Sequence, residues 1–435
     1  MKHIALPTRL VLASLMVAAG VAGAQVVLRD VPKTGGGGKA ETPRWLGKTN
    51  SLSIEERRVI VDRELARIEA TNVEFGPDQT RYRDSSGKAQ SIATGSILMV
   101  LPAEAKPLGT VKGIEWREIA DVETGPLGRV EMLDGQVFPG KVVAGAAKTD
   151  AIRWEHSLLG VMELPLDGIS RLVFKPGTPT VAVNGTSDAI QFTNGDVARG
   201  TLEKVEIAEA SAIAQVTMDV AGKPFTAGTD RVVSVTLANP PSRAQGVFMW
   251  LRDGTVVGSK EAQFATSGLT LSGSLSGSDK PMMIPWDEVV GVNMDAAKVV
   301  ALSSIAMSEV KPIEGRAWAA EPVVESSGSA QAGVGEVGLS GPIRVRWSLP
   351  GGARMVSMVA MLPPSARTMG DCVLVVECGG KTVRQRLHGG EPSVFVRLEP
   401  TDPASAGTLT VTIESGEGGS IQDRVVLRRA IVLVK

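Results

Sequence analysis

The stretch that decides the fold is residues 133–140, "LDGQVFPG", which has the form of a tight turn between two strands. Closely similar stretches follow at 192–200, "FTNGDVARG", and at 251–258, "LRDGTVVG". An Asp-Gly or Asn-Gly pair between apolar runs is a strong short-range signal of a β-hairpin. The recurrence allows two interpretations: a ligand loop repeated for function, or the turn of a repeated fold.

A second recurring pattern decides between them. "PLDGISRLV" at 165–173 and "PWDEVVGVN" at 285–293 share Pro-[Leu/Trp]-Asp-x-[Ile/Val]-x-x-[Leu/Val], and weaker copies occur at 116–122 and 229–235. The second pattern follows the turn by 33, 36 and 34 positions in the three complete cases. A repeated period of this length indicates a repeat architecture, so the turns belong to the fold. The predicted units are 72–123, 128–175, 188–238 and 247–296.

Each unit is rich in Val, Ile and Thr, broken by Gly, Asn and Asp, and is too short for a sandwich. The order predicted is a hairpin, two middle strands, a helical turn and a closing strand, with Asp167 and Asp287 as N-caps of the turn. This order resembles the small five-stranded barrels of the Src-homology-3 or Sm kind, so we expect four tandem barrels. Trp116, Leu166 and Trp286 share one position before the closing strand and are predicted to be core residues.

The first 71 residues precede this pattern. Residues 1–24 combine a positive start, the apolar run "LVLASLMVAAGV" and Ala-Gly-Ala, which is typical of a cleaved signal peptide. The alternative is a membrane anchor, but the apolar run is short for a span. We therefore expect an exported protein, periplasmic or extracellular, with no transmembrane span after cleavage. Residues 25–50 are predicted to be a flexible tether, and 51–71 a helix that begins with a Ser-x-x-Glu capping box.

Composition argues against several functional classes. The net charge is -1, so no basic face for nucleic acid is expected. His156 and His388 lie outside any Ser–His–Asp or zinc-binding pattern, and both are predicted at a surface or strand edge. Cys372 and Cys378 lie on one strand about 20 Å apart, too far for a disulfide, and are predicted to be buried. We expect no catalytic residues, no metal and no cofactor, although two carboxylates would suffice for a glycosidase.

The C-terminal part reads differently. Residues 322–338 are predicted to be a Ser/Gly/Ala linker, and 339–435 a β-sandwich with a turn every 8–12 residues. "GDCVLVVECGGKTVRQRLHGGEPSVFVRL" and "LTVTIESGEGGSIQDRVVLRRAIVLV" resemble the novel putative carbohydrate-binding module family, which has a galactose-binding-like jelly-roll fold. The shared features are a Gly-Asp that opens a strand, a Gly-Gly hairpin, a Gly-rich turn and Asp423 before the last strand. Leu427 and Arg429 depart from the Trp and Asp of the family's terminal motif.

Two functions follow as hypotheses. The resemblance implies an exported, non-catalytic protein that binds carbohydrate through the C-terminal sandwich. The repeats favour the alternative, a structural or protein-interaction component of the cell envelope. The candidate ligand-binding residues are Trp347, Arg384, Arg386 and His388, because a sugar site combines an aromatic face with planar donors. The alternative is that Trp347 is a core residue and that Arg384 and Arg386 lie on the solvated face of a hairpin strand. Any such binding is expected to be calcium-independent, since Asp423 alone is a poor start for a calcium site.

Overall fold

The computed structural model describes residues 57–102, 128–144, 150–175, 187–207, 213–240, 242–265, 267–274, 281–324, 334–401 and 407–435. These residues form strands and a few single 3-10 turns, which confirms the predicted all-β class. The predicted signal peptide at 1–24, the tether at 25–50 and Trp116 lie outside the described residues.

Twenty strands between residues 58 and 293 belong to one sheet and fall into four consecutive sets of five. The first set is β1 Arg58–Asp62, β2 Arg67–Glu74, β3 Gln79–Arg83, β4 Ala89–Ala93 and β5 Ile97–Pro102. The second is β6 Gly128–Met132, β7 Val137–Val142, β8 Ala151–His156, β9 Gly160–Pro165 and β10 Ile169–Val173. The third is β11 Asp188–Phe192, β12 Val197–Ile207, β13 Ala214–Val220, β14 Lys223–Gly228 and β15 Val232–Thr236. The fourth is β16 Val247–Leu251, β17 Val256–Ala265, β18 Gly268–Ser274, β19 Met282–Pro285 and β20 Val289–Asn293.

Every set has the same pairing. Its first strand pairs with the second and the fifth, the second with the third, and the third with the fourth, all antiparallel. The three recurring Asp-Gly or Asn-Gly turns join the first and second strands of sets two, three and four. The fifth strand follows a 3-10 turn at Thr94–Ser96, Leu166–Gly168 and Trp286–Glu288. The repeated sequence period is therefore a repeated strand order.

The sets are joined into one structure by strands that pair between them. β5 pairs with β20, β10 with β15, and β7 touches β17 at Val137 and Val256. One hydrophobic core contains residues of all four sets, such as Ile60, Val130 and Ile190. Within the described residues no fourth strand pairs with the fifth strand of its own set. The sheets are therefore not closed barrels, and the four sets are not separate, because they share a core and strand edges. The resemblance of each set to a small barrel of the Src-homology-3 or Sm kind stays a prediction.

The predicted helix at 51–71 is also wrong over its described part, which forms β1, a turn and β2. Val59, Ile60 and Val61 are all buried, because Ile60 faces the shared core of the repeats and the two valines face the sandwich. A strand covered on both faces has no period-two alternation, so its apolar residues fit a helical spacing equally well. The chain reverses at Asp62, whose Oδ1 accepts from the amides of Glu64 and Ala66 at 2.9 and 2.8 Å. The first repeat consequently occupies 58–102, earlier than the predicted 72–123.

The predicted capping role of Asp167 and Asp287 is not found. Each aspartate lies inside its 3-10 turn, the residue before the turn is Pro165 or Pro285, and no side chain caps either turn. Trp286 is buried, as predicted, and stacks on Phe75 with ring centroids 4.7 Å apart. Leu166 is partly buried and packs against the same core.

The C-terminal region is a sandwich of two antiparallel sheets. Its early strands are β21 Val299–Ala301, β22 Met307–Pro312, β23 Val323–Val324, β24 Val337–Ser340 and β25 Ile343–Ser348. Its later strands are β26 Ala353–Met361, β27 Asp371–Cys378, β28 Lys381–His388, β29 Ser393–Leu398, β30 Thr408–Ser415 and β31 Arg424–Val434. One sheet has the order β23-β24-β31-β26-β29, with β21 beside β31, and the other β22-β25-β30-β27-β28.

The sandwich begins earlier than the predicted residue 339, because β21, β22 and β23 are part of its two sheets. The predicted linker at 322–338 contains β23 and the start of β24, and 325–333 lie outside the described residues. The sandwich has its own core, with Trp347, Leu374 and Ile413 completely buried. A further apolar cluster joins it to the first repeat through residues such as Leu101 and Leu433.

Candidate functional site

Five strand ends of the β22-β25-β30-β27-β28 sheet meet at one end of the sandwich. There β22, β28 and β30 end while β25 and β27 begin, as their antiparallel registers require. We call this region the polar end, because charged side chains crowd the loops around it. Its members are Glu314, Arg316, Asp371, Arg386, His388, Glu417 and Asp423.

Arg386 makes three side-chain hydrogen bonds at the polar end. Its Nε and Nη2 donate to the two carboxylate oxygens of Asp371 at 2.7 and 2.8 Å, and its Nη1 donates to Glu417 at 2.8 Å. Asp371 Oδ2 also accepts from the Glu417 amide at 3.0 Å. The hydrogen bond from Arg386 is the main reason that the pKa of Asp371 is lowered, and the same bond raises the pKa of Arg386. Both groups are therefore charged at neutral pH and held in a fixed plane.

The segment after β22 is tied to the loop after β30. Glu314 accepts from the amide and the hydroxyl of Ser415 at 2.8 and 2.6 Å. Arg316 donates to the Ser420 hydroxyl. The loops after β22 and β30, whose strands lie on either side of β25, are thus joined to each other at the polar end.

Asp423 lies beneath these loops and is 2% exposed. Neither of its carboxylate oxygens makes a hydrogen bond of good geometry within the described residues. Burial raises the pKa of Asp423 to about 6, the nearby Asp371 and Glu314 carboxylates raise it further, and the Asp371 amide and Arg316 oppose this. A buried carboxyl of this kind favours its protonated form below about pH 6.

Large apolar side chains surround the polar end. Trp318 is 70% exposed, Met369 60% and Ile421 55%, and we call these three residues the apolar rim. Trp318 follows Arg316 by two residues, so its Cα lies within about 7 Å of that arginine's Cα. Ile421 follows Ser420, the partner of Arg316, and Gly370, next to Met369, approaches the Gln422 carbonyl closely. Tertiary contacts therefore bring the three residues to one region.

The structure rearranges the predicted site residues. Trp347 is completely buried, since Ile343, Val345 and Trp347 alternate inward along β25, so its ring cannot stack on a ligand. A ligand-binding role for Trp347 is therefore wrong, and the alternative, a core residue, is confirmed. Trp318, at 70% exposure, is an exposed aromatic residue that the sequence analysis did not consider. The signal for Trp318 was its segment, "EGRAWAAEP", which has no strand alternation to direct the ring inward.

The other three candidates lie along β28. Arg384 and Arg386 share the outward face, but Arg384 pairs with Glu414 at 2.5 and 3.2 Å and lies one row further from the polar end. His388 is opposite Asp371 and its Nδ1 accepts from the Gly390 amide at 3.1 Å. Arg386 and His388 therefore belong to the polar end, and Arg384 does not.

A second polar cluster lies where the second and fourth repeats meet. His156 is 1% exposed, which overturns the prediction of a surface or strand-edge residue. Its Nδ1 accepts from the amides of Leu158 and Leu159 at 3.0 and 3.1 Å, so its proton is on Nε2, 2.6 Å from Thr255 Oγ1. Burial lowers the pKa of His156, and Asp253, 3.5 Å away, opposes this. Because its lone pair accepts hydrogen bonds from backbone amides, this imidazole has a structural role and is not placed to act as a base.

Nucleophiles and metal ligands are not grouped in the described residues. Cys372 and Cys378 are buried and unpaired, as predicted, and burial raises the pKa of Cys372 to about 12. The described ranges contain no set of three His, Cys, Asp or Glu side chains arranged to hold a metal ion. In the same ranges no helix has the length and apolarity needed to cross a membrane.

Comparison with known proteins gave structural neighbours only. No family model and no curated protein matches the chain. Among solved structures, it is similar to CBM51 from Clostridium perfringens GH95 in complex with methyl-galactose, at 11% identity and a TM-score of 0.24, over 31% of this chain and 99% of that one. It is also similar to the CBM51-2 and INT domains of C. perfringens ZmpB, at 10% identity, a TM-score of 0.25 and 43% of each chain.

A third neighbour is an exo-beta-1,3-galactanase from Phanerochaete chrysosporium with galactose, at 11% identity and a TM-score of 0.19, over 87% of this chain and 68% of that one. The chain thus spans the whole of the first neighbour and less than half of the second. TM-scores of this size do not establish a shared fold, so the polar end is interpreted from its own residues.

Proposed function

We propose that this is a non-catalytic carbohydrate-binding protein, and that the polar end with its apolar rim binds the sugar. The observation that carries the proposal is that Arg386 donates hydrogen bonds to the carboxylates of Asp371 and Glu417 at the end of the sandwich. At the same end Trp318 is 70% exposed. Planar donors and acceptors held in place suit the hydroxyl groups of a pyranose. An exposed indole offers the flat apolar face on which the C–H face of the ring stacks.

The sequence supports the same function independently. The stretch from "GDCVLVVEC" to the final strand resembles the novel putative carbohydrate-binding module family, and Asp371 opens β27 within it. The signal-like residues 1–24 support export to the periplasm or the cell exterior. Because Trp347 is buried, we propose Trp318 as the aromatic contact, and we keep Arg386 and His388 from the sequence-based candidates.

A binding role fits the carboxylates better than glycoside hydrolysis does. Hydrolysis needs a protonated acid and an ionised carboxylate on either side of an exposed bond. Asp371 is ionised and engaged with Arg386, and Asp423, whose pKa is raised to about 6, is 2% exposed. A proton on Asp423 has no route to a glycosidic oxygen at the surface.

The test is a titration of the full chain without its first 24 residues against galactosides, glucosides and their oligosaccharides, followed by calorimetry. We expect weak binding, with Kd of about 10⁻⁴–10⁻³ M. Binding should not change in a chelator, because the described residues hold no metal-binding group. Trp318→Ala and Arg386→Ala should each weaken binding tenfold or more, and melting curves will show that both variants are folded.

Arg354→Ala is the matched control. Arg354 is an exposed arginine at the start of β26, at the opposite end of the sandwich from Asp371. Its loss should leave sugar binding unchanged. The proposal fails if no sugar binds, if Arg354→Ala weakens binding as much as Arg386→Ala, or if chelation abolishes it.

A second candidate function, protein interaction, is favoured by the edges of the repeats. Among the residues that the structure describes, the fourth strands β9, β14 and β19 each pair with a single neighbour. They carry Val161, Phe225 and Met283 at 52%, 39% and 45% exposure. Such edges accept an extended peptide as an added strand. A peptide array probed with the full chain tests this, and Phe225→Lys should remove any signal that depends on β14.

A further inference from the structure

The outward face of the β22-β25-β30-β27-β28 sheet carries charge in rows that cross the strands. Arg344 and Arg346 alternate with the buried Val345 along β25, and both face outward. The registers place Lys311 opposite Arg344, and Glu309 opposite Arg346. Strand by strand, this face can therefore be read as a grid.

One row of the grid contains cations and no carboxylate. It runs from Lys311 through Arg344, Thr412 and Val375 to Arg384. Neighbouring strands are about 4.8 Å apart, so Lys311 and Arg344 are adjacent, and Arg384 lies roughly 14 Å beyond. Thr412 and Val375 form the floor between the cationic ends, and they are only 2% and 8% exposed because longer side chains such as Arg344 lie over them. We call this the cationic row.

Arg344 is the centre of positive charge in this row. Its Nε donates to Thr412 Oγ1 at 3.4 Å, and no carboxylate of the described residues lies within ion-pair distance of it. Glu309 is shared by Lys311 and by Arg346, the latter at 3.2 Å. The hydrogen bond from Lys311 is the largest cause of the lowered pKa of Glu309, and Arg346 and Arg344 add to it. Three cations thus surround one carboxylate, which leaves an excess of positive charge at this side of the sheet.

We propose that the cationic row is a second binding site, for the carboxylate or sulfate groups of an acidic glycan. The guanidinium of Arg344 presents a planar pair of donors that match such a group. A linear polymer laid across the strands reaches Lys311 and Arg344, and then Arg384, which is already paired with Glu414. Arg344 is therefore the main contact of the proposed site. The floor of Thr412 and Val375 has no aromatic ring for base stacking, which favours an acidic glycan over single-stranded nucleic acid. This site is separate from the polar end, and neither proposal depends on the other.

The experiment measures binding of the full chain to polygalacturonate, dextran sulfate and neutral dextran at 50 and 200 mM salt. We expect binding to one or both acidic polymers and none to dextran, with affinity falling several-fold at the higher salt. Arg344→Gln should weaken this binding tenfold or more. Arg354→Gln, on the other sheet, should not change it, and Arg386→Ala should not change it either.

The opposite results overturn the proposal. If neither acidic polymer binds, if neutral dextran binds equally, or if Arg344→Gln and Arg354→Gln have equal effects, the cationic row is not a specific site. If an oligo(dT) binds more tightly than both acidic polymers, the row recognises nucleic acid instead. Arg344→Lys tests the geometry, because it keeps the charge but not the paired donors, and it should recover only part of the affinity.

Discussion

The repeats and the sandwich use their polar side chains in opposite ways. Where the second and fourth repeats meet, His156 and Gln136 are buried and fully engaged: Gln136 Oε1 accepts from the Gly258 amide at 2.8 Å, and His156 bonds Thr255. At the polar end of the sandwich, Arg386 is exposed, and Asp423 is buried without a hydrogen bond of good geometry in the described residues.

This difference leads us to assign a structural role to the polar side chains of the repeats and a ligand-binding role, as a proposal, to those of the polar end. In the repeats, the hydrogen bonds of Gln136 and His156 join strands of different sets, so these side chains stabilise the fold. In the sandwich, polar side chains are gathered at strand ends, beside apolar side chains that the fold leaves exposed. Residues of the first kind should alter stability when replaced, and residues of the second kind should alter ligand binding.

The largest expected effects concern three tryptophans. Trp154 in the repeats and Trp347 in the sandwich are both 0% exposed, so replacement of either by Ala should cost about 3–5 kcal/mol in the free energy of unfolding. Trp318→Ala should change stability by less than about 0.5 kcal/mol, because this side chain is largely exposed. Unfolding in urea, monitored by circular dichroism, measures the free energy of unfolding of all three variants. A large loss in Trp318→Ala would place its ring in the core and remove it from the proposed site.

His156→Ala should give the next largest loss in the free energy of unfolding, about 2–4 kcal/mol. The substitution deletes a buried ring and leaves two backbone amides unpaired. The folded state lowers the pKa of this histidine, so the stability that it contributes is present above about pH 6.5 and lost as the pH falls below that value. His388→Ala is the control from the sandwich and should be nearly neutral. Equal loss of stability in both variants, or a loss in His156→Ala that is as large at pH 5 as at pH 7.5, would contradict this account.

Asp423→Asn probes the buried carboxyl of the polar end. Because the folded state raises its pKa to about 6, its contribution to stability is complete below about pH 4 and lost as the pH rises through 6. The Asn variant should therefore gain stability relative to the wild type at pH 7, by about 1–3 kcal/mol, and show little gain at pH 4. Unfolding midpoints at the two pH values decide this. A variant that is destabilised at pH 7 and much less so at pH 4 would mean that the charged form is paired, and would contradict this account.

The smallest effect distinguishes two aspartates of the repeat signatures. Asp134 Oδ2 accepts from the buried Gln136 amide group at 2.6 Å, so Asp134→Ala should cost about 1 kcal/mol. Asp167 caps nothing, so Asp167→Ala should stay within about 0.5 kcal/mol. Thermal melting measures both, and the reverse order would restore the capping role.

Local signals in the sequence predicted local structure. The Asp-Gly and Asn-Gly turns fix hairpins by their own backbone preferences, so the three turns and the strands beside them were predictable. The turn signals every 8–12 residues in the last hundred residues likewise predicted the sandwich. Cys372 and Cys378 were correctly predicted as buried, because their spacing placed both on one face of a strand.

Features that depend on distant partners were not predictable. β1 read as a helix because both of its faces are covered, one by the repeats and one by the sandwich. His156 was predicted at the surface because its partner Thr255 is 99 residues away. The burial of Trp347, by contrast, was predictable, because Ile343, Val345 and Trp347 alternate with polar residues along β25 and period-two alternation marks the inward face of a strand. The position of Trp318 at the end of the sandwich was not predictable, because it depends on the contact between Arg316 and Ser420, which are 104 residues apart in the sequence.

The central claim is that the sandwich end binds sugar while the repeats do not. Hydrogen–deuterium exchange of the full chain, with and without a saturating oligosaccharide from the panel, tests it most directly. The account predicts slower exchange in the peptides that contain 313–322 and 415–423, and no change at the hairpins 133–137 and 251–256. Protection confined to the repeats, or no protection at any saturating sugar concentration, would contradict it.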